Sequence, residues 1–309
     1  MEINNKIFGA MYGVAVGDAL GAPLEFMSAD EIRTKHGTVR DMIGGGWLNV
    51  EPGEVTDDTM MTLAVANGIV ENPEDPIQAI GKRFIEWYET DPKDIGNTCR
   101  YAIGAAREYG PAPTSEQWLN ASLETHYALG GKSAGNGSLM RTVYVGLYYS
   151  FEIAVMAEHI SRMTHFDVKT GIDCAAYSLI ISTILNPMNH YTPKENICQV
   201  LNSFSDCRYR YTPEKIAAAN FKPRPTGYVV DSFTTALHCI LTTSSFEEAV
   251  VKAVNLGGDA DTIGAITGGL AGAIYGYDSI PDRWTNALQP GIRAELSVLS
   301  VKAAEQWAD

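Results

Sequence analysis

Apolar side chains recur along most of the chain at the spacing of an α-helix. Segments 153–163 and 228–241 place them three and four positions apart, 58–70 is too densely apolar for a strand, and 172–185 is apolar almost all round. Such stripes predict helices that lie on a core, and an all-round apolar helix predicts one that is buried. Alternating β-branched residues occur only as weak candidates near 38–50. The pattern therefore predicts an all-α fold.

Two segments carry glycine at every fourth position, which is unusual within apolar helices. Because Gly costs about 1 kcal/mol per helical position relative to Ala, these residues need a structural return. At this spacing they line one ridge of a helix and let a neighbouring helix approach closely. The residues are Gly9, Gly13, Gly17 and Gly21 in the first segment, and Gly264, Gly268, Gly272 and Gly276 in the second. We expect close helix packing beneath a functional site.

The loops indicate how the chain is organised. Pro- and Gly-containing stretches occur at 109–116, 186–193 and 222–227, and each is short enough to lie within one domain. The sequence shows no long Pro/Gly/Ser-rich linker and no repeat of 20 to 50 residues. We therefore predict one compact single domain that spans residues 1–309.

Charge and composition exclude several classes of protein. The chain has 309 residues, 45% of them hydrophobic, and 23 Lys+Arg against 37 Asp+Glu, for a net charge of −14. It is thus not disordered, and it lacks the basic surplus typical of proteins that bind nucleic acid or anionic membranes. The cysteines follow no C-x-x-C spacing, which argues against a thiolate zinc site and favours a reducing compartment. They are Cys99, Cys174, Cys198, Cys207 and Cys239.

The chain carries no recognisable targeting or spanning segment. Its first apolar stretch, 7–16, follows an acidic rather than a basic start, and Asp18 and Glu25 come soon after it. A secretory signal would need a basic start and a small-residue cleavage site. A second apolar stretch, 263–275, is shorter than the roughly 20 residues that cross a bilayer. We expect a cytoplasmic protein with no stable membrane insertion and no nucleic-acid partner.

Two acidic clusters occur at predicted helix starts, far apart in the sequence. One Asp or Thr at each start would be enough to cap the helix. Each cluster, however, offers two carboxylates and a hydroxyl, and like charges repel unless a cation neutralises them. Oxygen ligands of this kind suit Mg²⁺, Mn²⁺ or Ca²⁺ rather than zinc. The clusters contain Thr56, Asp57 and Asp58, and Asp259, Asp261 and Thr262. Capping and metal binding both remain open on spacing alone.

Seven motifs in a fixed order make the sequence recognisable. They are Gly17-Asp-Ala-Leu-Gly-Ala-Pro-Leu-Glu25-Phe, Thr56-Asp-Asp-Thr59-Met, Asp94-Ile-Gly-Asn97-Thr98, Gly135-Asn-Gly-Ser-Leu-Met-Arg141, Thr164-His165, Gly227-Tyr228-Val-Val-Asp231 and Gly257-Gly-Asp-Ala-Asp-Thr-Ile-Gly264. Together they resemble the ADP-ribosylglycohydrolase family, and within it the branch that includes dinitrogenase reductase-activating glycohydrolase. The resemblance runs from Gly9 to about Tyr275. It implies a compact all-α domain with a binuclear metal cleft.

The resemblance also implies the cofactors. It places two divalent cations, Mg²⁺ or Mn²⁺, between the two acidic clusters, with Thr56, Asp57, Asp58, Asp259, Asp261 and Thr262 as ligands. Glu25 would lie close enough to reach a cation or its water, and is our candidate to take the proton of the attacking water. Two ions a few ångströms apart can clamp and activate oxygen atoms.

Substrate-binding residues follow from the same resemblance. Asp94 would receive the departing guanidinium, which a carboxylate pairs in a planar two-point fashion. The glycine-rich loop, residues 135–141, and His165 would lie by the phosphates, and Tyr228 would stack on adenine. Arg141 has two open interpretations, as a partner of a phosphate or of the crowded acids. The predicted substrate contacts are Asn97, Thr98, Cys99, Gly135, Asn136, Gly137, Ser138, His165 and Tyr228.

The function implied is removal of mono-ADP-ribose from protein arginine by cleavage of the N-glycosidic bond. The partners would be an arginine-linked ADP-ribosylated protein and ADP-ribose. Two alternatives stay open: a hydrolase of O-linked ADP-ribose on serine or acetate, and a non-catalytic ADP-ribose-binding homologue. Intact metal ligands argue against the second, and Asp94 is the residue that favours arginine over an O-linked substrate.

Overall fold

Helices dominate this computed structural model, which describes residues 2–204 and 212–308. Cys207 lies outside the described residues. The chain is 66% helical. The helices are α1 (Glu2–Gly21), α2 (Ala29–His36), α3 (Asp57–Glu71), α4 (Ile77–Tyr88), α5 (Asn97–Arg107), α6 (Ser115–Ala128), α7 (Val143–Tyr148), α8 (Ile153–Arg162), α9 (Val168–Leu185), α10 (Pro193–Ser203), α11 (Pro213–Ala217), α12 (Val229–Leu241), α13 (Phe246–Val254), α14 (Ala260–Tyr275), α15 (Asp282–Ala287) and α16 (Pro290–Ala304).

The predicted all-α fold is confirmed, and the weak strand candidates near 38–50 are wrong. Residues 2–204 and 212–308 contain no strand. Segment 38–50 contributes only an isolated bridge between Gly45 and Val50. Gly44, Gly45 and Gly46 all have positive φ, at 65°, 88° and 71°. Three such residues in a row turn the backbone away from the extended conformation that a strand requires.

The helices predicted from hydrophobic spacing all occur in the structure. Helices α3, α8 and α12 begin and end within one residue of the predicted bounds. Helix α9 begins four residues earlier than predicted, because the Asp167 side chain accepts a hydrogen bond from the backbone N–H of Lys169 at 2.9 Å and caps the helix there. A polar cap residue set this boundary, which hydrophobic periodicity alone does not detect.

The glycine ridges bring α1 and α14 into backbone contact as antiparallel neighbours. A methyl group built on Gly9, Gly13 or Gly17 would overlap the carbonyl oxygen of Gly272, Gly268 or Gly264 respectively. The predicted close packing is therefore confirmed for these three pairs. At the ends the pattern differs: Gly21 meets Ala260, and Gly276 lies beyond α14 with φ 81°, where it ends the helix.

The central helices are apolar because they are buried in the protein. Residues Glu2–Leu24 and helix α9 are long and apolar enough to cross a membrane by length and composition, which the sequence interpretation had not recognised. In this structure 94% and 72% of their apolar windows are buried against the rest of the chain. Core helices of a globular protein meet the same criterion, so burial accounts for their composition.

The contact between α1 and α14 predicts a sharp sensitivity to small substitutions. In Gly13→Ala the added methyl group would force two helices apart, and we expect the free energy of unfolding to fall by about 1–3 kcal/mol. Urea denaturation would measure this. The control is Gly291→Ala in α16, where nothing lies within 4 Å of the new methyl group. It should leave stability unchanged or raise it by up to about 1 kcal/mol. Equal stabilities of the two variants would contradict the packing argument.

Candidate active site

Asp18 of α1 anchors the first acidic cluster. Its carboxylate is fully buried and accepts hydrogen bonds from the backbone N–H groups of Thr56 and Thr59 at 3.0 and 3.1 Å. The hydroxyls of the same two threonines also donate to it. A carboxylate at the first turn of a helix satisfies free N–H groups and interacts favourably with the helix dipole. Asp18 therefore caps α3 from a different helix.

Local capping does not explain the acidic clusters. Thr56 and Asp259 occupy the capping positions of α3 and α14, but neither side chain bonds to its own helix in that role. Instead the clusters face each other. The Thr262 hydroxyl donates to Oδ2 of Asp58 at 3.2 Å, across 204 residues of sequence. Oδ1 of Asp58 is buried without a hydrogen-bond partner among the described residues, so it is free to ligate a cation.

Gly257 and Gly258 both have positive φ and hold the second cluster beside Glu25. Gly258, with φ 64°, donates to the carbonyl of Met27 and accepts from the backbone N–H of Phe26, both at 2.7 Å. A side chain at Gly258 would overlap the carbonyl of Pro225. This clamp brings carboxylate oxygens of Glu25, Asp259 and Asp261 within 4.8 Å of one another. Such spacing suits a shared cation.

Burial and mutual repulsion raise the pKa values of the clustered carboxyl groups. Burial is the first cause and neighbouring carboxylates add to it for Asp57, Asp58 and Asp261, whose pKa values lie well above the ordinary value. Burial raises the pKa of Glu25 to about 8, with Asp94 and Asp259 contributing. It raises the pKa of Asp18 and Asp94 to about 6. All these groups would ionise more readily beside a cation.

Ion pairing does not neutralise the clustered carboxylates in the part of the chain that the structure describes. Among residues 2–204 and 212–308, none of these carboxylates forms an ion pair with a basic side chain. The donor set consists of carboxylate and hydroxyl oxygens, which hard divalent cations prefer. Together with the unpartnered oxygen of Asp58, this chemistry fits divalent metal binding.

A cleft of about 480 Å³ opens over the acidic clusters. It collects most of the predicted site residues from six separate segments. Those that line it are Glu25, Asp57, Asp94, Asn97, Thr98, Cys99, Gly135, Asn136, Gly137, His165, Asp259, Asp261 and Thr262. Thr56 and Asp58 lie buried beneath them and are joined to the clusters by hydrogen bonds. The structure thus brings both predicted halves of the site to one place.

Two predicted contact residues do not line the cleft. The Ser138 side chain is buried and accepts a hydrogen bond from the Ser161 hydroxyl at 2.9 Å, so it faces the core. Tyr228 lies just before α12 and is 38% exposed, which excludes a core position for its ring. Its backbone pairs with Gly135, so the residue lies next to the glycine-rich loop. Their roles as substrate contacts stay predictions.

The glycine-rich loop is connected directly to the acidic clusters. The Asn136 side chain donates to Oδ2 of Asp259 at 2.8 Å and to the Ser232 hydroxyl at 3.0 Å. The loop passes over the ring of His165, and a methyl group on Gly135 or Gly137 would lie only 3.2 Å from a ring atom. The glycines are needed because the histidine packs against the backbone. One hydrogen-bonded unit therefore spans the cleft floor and wall.

Arg141 takes neither of the roles left open for it. Its buried guanidinium donates to the carbonyls of Gly137 and Ile160 at 3.0 and 3.3 Å and to the Thr164 hydroxyl at 2.8 Å. It also lies over the ring of Phe84, 4.7 Å from the centroid. Arg141 forms no ion pair with the acids in the described part of the chain. It supports the glycine-rich loop from behind.

Comparison with known proteins agrees with this geometry. The family model for ADP-ribosylglycohydrolase matches residues 1–309. The chain belongs to the ADP-ribosylglycohydrolase family. This is a family of hydrolases that act on glycosyl bonds. A solved structure described as an ADP-ribosylglycohydrolase-related protein complex matches with a TM-score of 0.80, at 30% identity and 99% coverage of each chain.

Two relatives indicate which part of the family is similar. The chain is 33% identical over 302 residues to the ADP-ribosyl-[dinitrogen reductase] glycohydrolase of Rhodospirillum rubrum, covering 96% of this chain and 94% of that one. It is 29% identical over 305 residues to the ADP-ribosylarginine hydrolase Tri1 of Serratia proteamaculans (strain 568), covering 93% and 76% respectively. The resemblance to this branch is confirmed.

Several residues of this ADP-ribosylglycohydrolase site escaped the sequence interpretation as site residues, among them Asp18, Phe26 and Trp47. Asp18 lies within a recognised motif, which was the available signal. Trp47 donates its indole N–H to Oε2 of Glu25 at 2.5 Å, and its ring lies 5.3 Å from that of Phe26. Only the preceding run of three glycines hints at Trp47. These contacts hold Glu25 at the mouth of the cleft.

The raised pKa values predict how the metal-free glycohydrolase responds to pH. The folded chain retains protons on Asp18, Glu25 and Asp94 that the unfolded chain has already released. Its free energy of unfolding should therefore fall as the pH rises from about 5 to about 8, because the folded state binds more protons in that window. Thermal melting in EDTA would measure this.

Saturating Mg²⁺ provides the control for this measurement. A cation bound between the carboxylates replaces the protons, so melting temperatures with Mg²⁺ should be higher and should fall less with pH. A melting temperature in EDTA that stays constant across this range would contradict the electrostatic reading of the cluster.

Proposed function

We propose that this chain is a divalent-metal-dependent hydrolase that removes mono-ADP-ribose from protein arginine by cleaving the N-glycosidic bond. It would act as a single domain, residues 1–309, in the cytoplasm. The observation that carries the proposal is the bond between Asn136 and Asp259, which joins a carboxylate cluster to a glycine-rich loop in one cleft. A metal-assisted reaction centre and an anion-binding loop are the two parts that an enzyme needs to cleave the bond between ADP-ribose and arginine.

The proposed metal ligands come from the two acidic clusters and include the unpartnered oxygen of Asp58. They are Thr56, Asp57, Asp58, Asp259, Asp261 and Thr262, and they would hold two cations, Mg²⁺ or Mn²⁺. When bound, the cations supply Lewis-acid chemistry that orients ribose hydroxyls and lowers the pKa of water. The hydrogen bonds from Thr56 to Asp18 and from Thr262 to Asp58 pre-orient the side chains. This limits the rearrangement that ligation requires.

Glu25 is the proposed general base. It lies beside Asp259 and Asp261 at the cleft, and the Trp47 indole fixes one carboxylate oxygen and leaves the other free. Water would attack the anomeric carbon of the ribose as Glu25 takes its proton. The electron pair of the glycosidic bond would pass to the guanidinium nitrogen, and arginine would leave as a neutral guanidine. The guanidine would then take up the proton that Glu25 has gained, directly or through solvent. A base with a pKa near the working pH suits this transfer.

Asp94 is the proposed partner of the arginine. Its side chain lines the cleft near Glu25, whose pKa its charge raises. A carboxylate facing the guanidinium can orient the bond to be broken and favour the planar cation. This residue is the feature that favours arginine over serine.

Neutral donors are proposed to hold the rest of ADP-ribose. A diphosphate that approaches a cluster of carboxylates needs hydrogen-bond donors. Backbone amides in a glycine-rich loop supply N–H groups that carry no net charge. Tyr228, exposed beside this loop, would stack on adenine. The proposed contacts are Asn97, Thr98, Cys99, Gly135, Asn136, Gly137, Ser138, His165 and Tyr228. Because the Ser138 side chain faces the core, this residue would contribute only through its backbone.

Incubation with an arginine-linked ADP-ribosylated protein tests the proposal. We expect release of ADP-ribose with Mg²⁺ or Mn²⁺ and its loss in EDTA. Asp259→Ala should abolish turnover while the protein stays folded, because the removed carboxylate repels its neighbours when no cation is present. Chromatography of released ADP-ribose and circular dichroism would give the two readouts. Full activity of the variant would rule out the proposed metal site.

A second prediction concerns the choice of bond. Asp94→Asn keeps the size of the side chain but removes its charge. We expect a loss on the order of 10²-fold in the rate on the arginine-linked substrate, the scale of losing one well-placed electrostatic contact. Affinity for free ADP-ribose, which has no guanidinium, should barely change and serves as the control.

The wild-type protein should cleave the arginine linkage far faster than a serine linkage. Equal rates on both substrates, with Asp94→Asn indifferent on each, would assign the protein to O-linked ADP-ribose instead. Binding of ADP-ribose without release from either substrate would indicate a non-catalytic ADP-ribose-binding protein.

A further inference from the structure

The ring of His165 has two chemically different sides. The side chain is almost fully buried, and Nδ1 lies 2.8 Å from the hydroxyl oxygen of Thr164. Nε2 has no hydrogen-bond partner among residues 2–204 and 212–308, and it lies beside Gly135 at the wall of the cleft. Nε2 is therefore the ring atom that faces a ligand in the cleft. It presents either an N–H group or a lone pair, depending on the tautomer.

Arg141 decides the direction of the hydrogen bond at Nδ1. Its guanidinium can only donate, and Nη2 lies 2.8 Å from the Thr164 hydroxyl oxygen. That oxygen accepts from Arg141, so its own hydrogen is directed to another acceptor. Nδ1 of His165 is such an acceptor at ideal distance. The chain of donors thus runs from Arg141 through Thr164 to His165.

The nearby Cys99 thiol offers only weak competition. Cys99 lies by the same hydroxyl and by the Arg141 guanidinium. Burial raises the pKa of this thiol to about 11, so it remains protonated, and thiol sulfur is a weak acceptor. The imidazole nitrogen is the better acceptor for the Thr164 hydrogen.

We propose that Thr164 is a positioning residue that transmits the donor character of Arg141 to His165 and locks the imidazole as its Nε2–H tautomer. The cleft then presents an uncharged N–H group to an anionic oxygen of the ligand. This inference rests on the proposed function in one respect, which is that the anion is the diphosphate of ADP-ribose.

The relay matters because His165 is neutral. Burial and the nearby positive charge of Arg141 hold the pKa of His165 well below its ordinary value. A neutral imidazole carries one hydrogen, and the other nitrogen presents a lone pair. If the hydrogen were on Nδ1, the lone pair of Nε2 would repel a phosphate oxygen. The relay therefore determines whether the contact attracts or repels.

A neutral donor also suits the surrounding charges. A histidine cation facing this cleft would attract the carboxylates of the reaction centre as well as the phosphates. A neutral N–H group attracts the carboxylates less strongly, and it selects a ligand oxygen mainly by the direction of the hydrogen bond. Arg141 keeps its charge behind the loop, where carbonyl oxygens of Gly137 and Ile160 and the Phe84 ring hold it.

Nitrogen-15 NMR of the histidine rings tests the tautomer directly in the whole protein with Mg²⁺. In the wild type we expect His165 to show a protonated Nε2 and an unprotonated Nδ1, unchanged between about pH 6 and pH 8. Thr164→Ser keeps the hydroxyl and should keep this signature. Thr164→Val has the same shape without the hydroxyl, and should lose the pure tautomer.

Affinity for ADP-ribose, measured by calorimetry, supplies the second readout. Thr164→Val should bind about 10-fold more weakly, the scale of one hydrogen bond to a charged group, whereas Thr164→Ser should bind like the wild type. Thr267→Val is the matched control. Its hydroxyl is equally buried but has no hydrogen-bond partner in the described part of the chain, so neither readout should change.

Two results would overturn the relay. One is an unprotonated Nε2 in the wild type. This measurement does not depend on the folding of any variant. The other is a Thr164→Val protein that keeps both the tautomer and the affinity. Failure of the proposed function is separable, because the tautomer is observed without turnover. A relay confirmed by NMR in a protein that does not bind ADP-ribose would reject the diphosphate as the anion.

Discussion

The architecture depends on a backbone contact between two helices that glycine alone permits. Where Gly13 faces Gly268 and Gly17 faces Gly264, no side chain separates α1 from α14. The contact places the end of α1 beside the start of α14, and Asp18, one turn before that end, then reaches across to the first turn of α3. Three helix termini meet in this way. The acidic clusters converge because α1 packs directly on α14 and its Asp18 is hydrogen-bonded to the start of α3.

The same convergence creates an electrostatic cost that the fold does not relieve by itself. Carboxylates from α1, α3, α14 and the connecting loops share one buried region without a basic partner among the described residues. Burial and repulsion raise their pKa values, so the metal-free site favours protonated forms. Hydrogen bonds from threonine hydroxyls and backbone amides orient several of the oxygens. Such a site is strained in the way that functional sites commonly are, and a divalent cation is the natural relief.

The wall of the cleft beside this centre carries neutral side chains. Asn136 and the neutral His165 line the cleft together with Gly135 and Gly137, while Arg141 lies behind the loop. Asn136 bridges the two regions through its bond to Asp259. The clamp at Gly258 similarly ties the Glu25 segment to the second cluster. The acidic clusters and the glycine-rich loop are therefore parts of one hydrogen-bonded unit, and a change in one is expected to move the other.

The sequence by itself determined the local features of this protein. Helical periodicity located α3, α8 and α12, glycine spacing predicted that a neighbouring helix packs closely on α1 and on α14, and ordered motifs indicated the family. That α1 and α14 are each other's neighbour is seen only in the structure. Only the tertiary structure showed that neither Thr56 nor Asp259 caps its own helix, revealed Asp18 and Trp47 at the site, and turned the side chains of Ser138 and Arg141 away from the cleft. The physical reason is range. Spacing along one helix is fixed by the chain, whereas the bond between Asp58 and Thr262 joins groups 204 residues apart, whose proximity arises only when the whole core has packed.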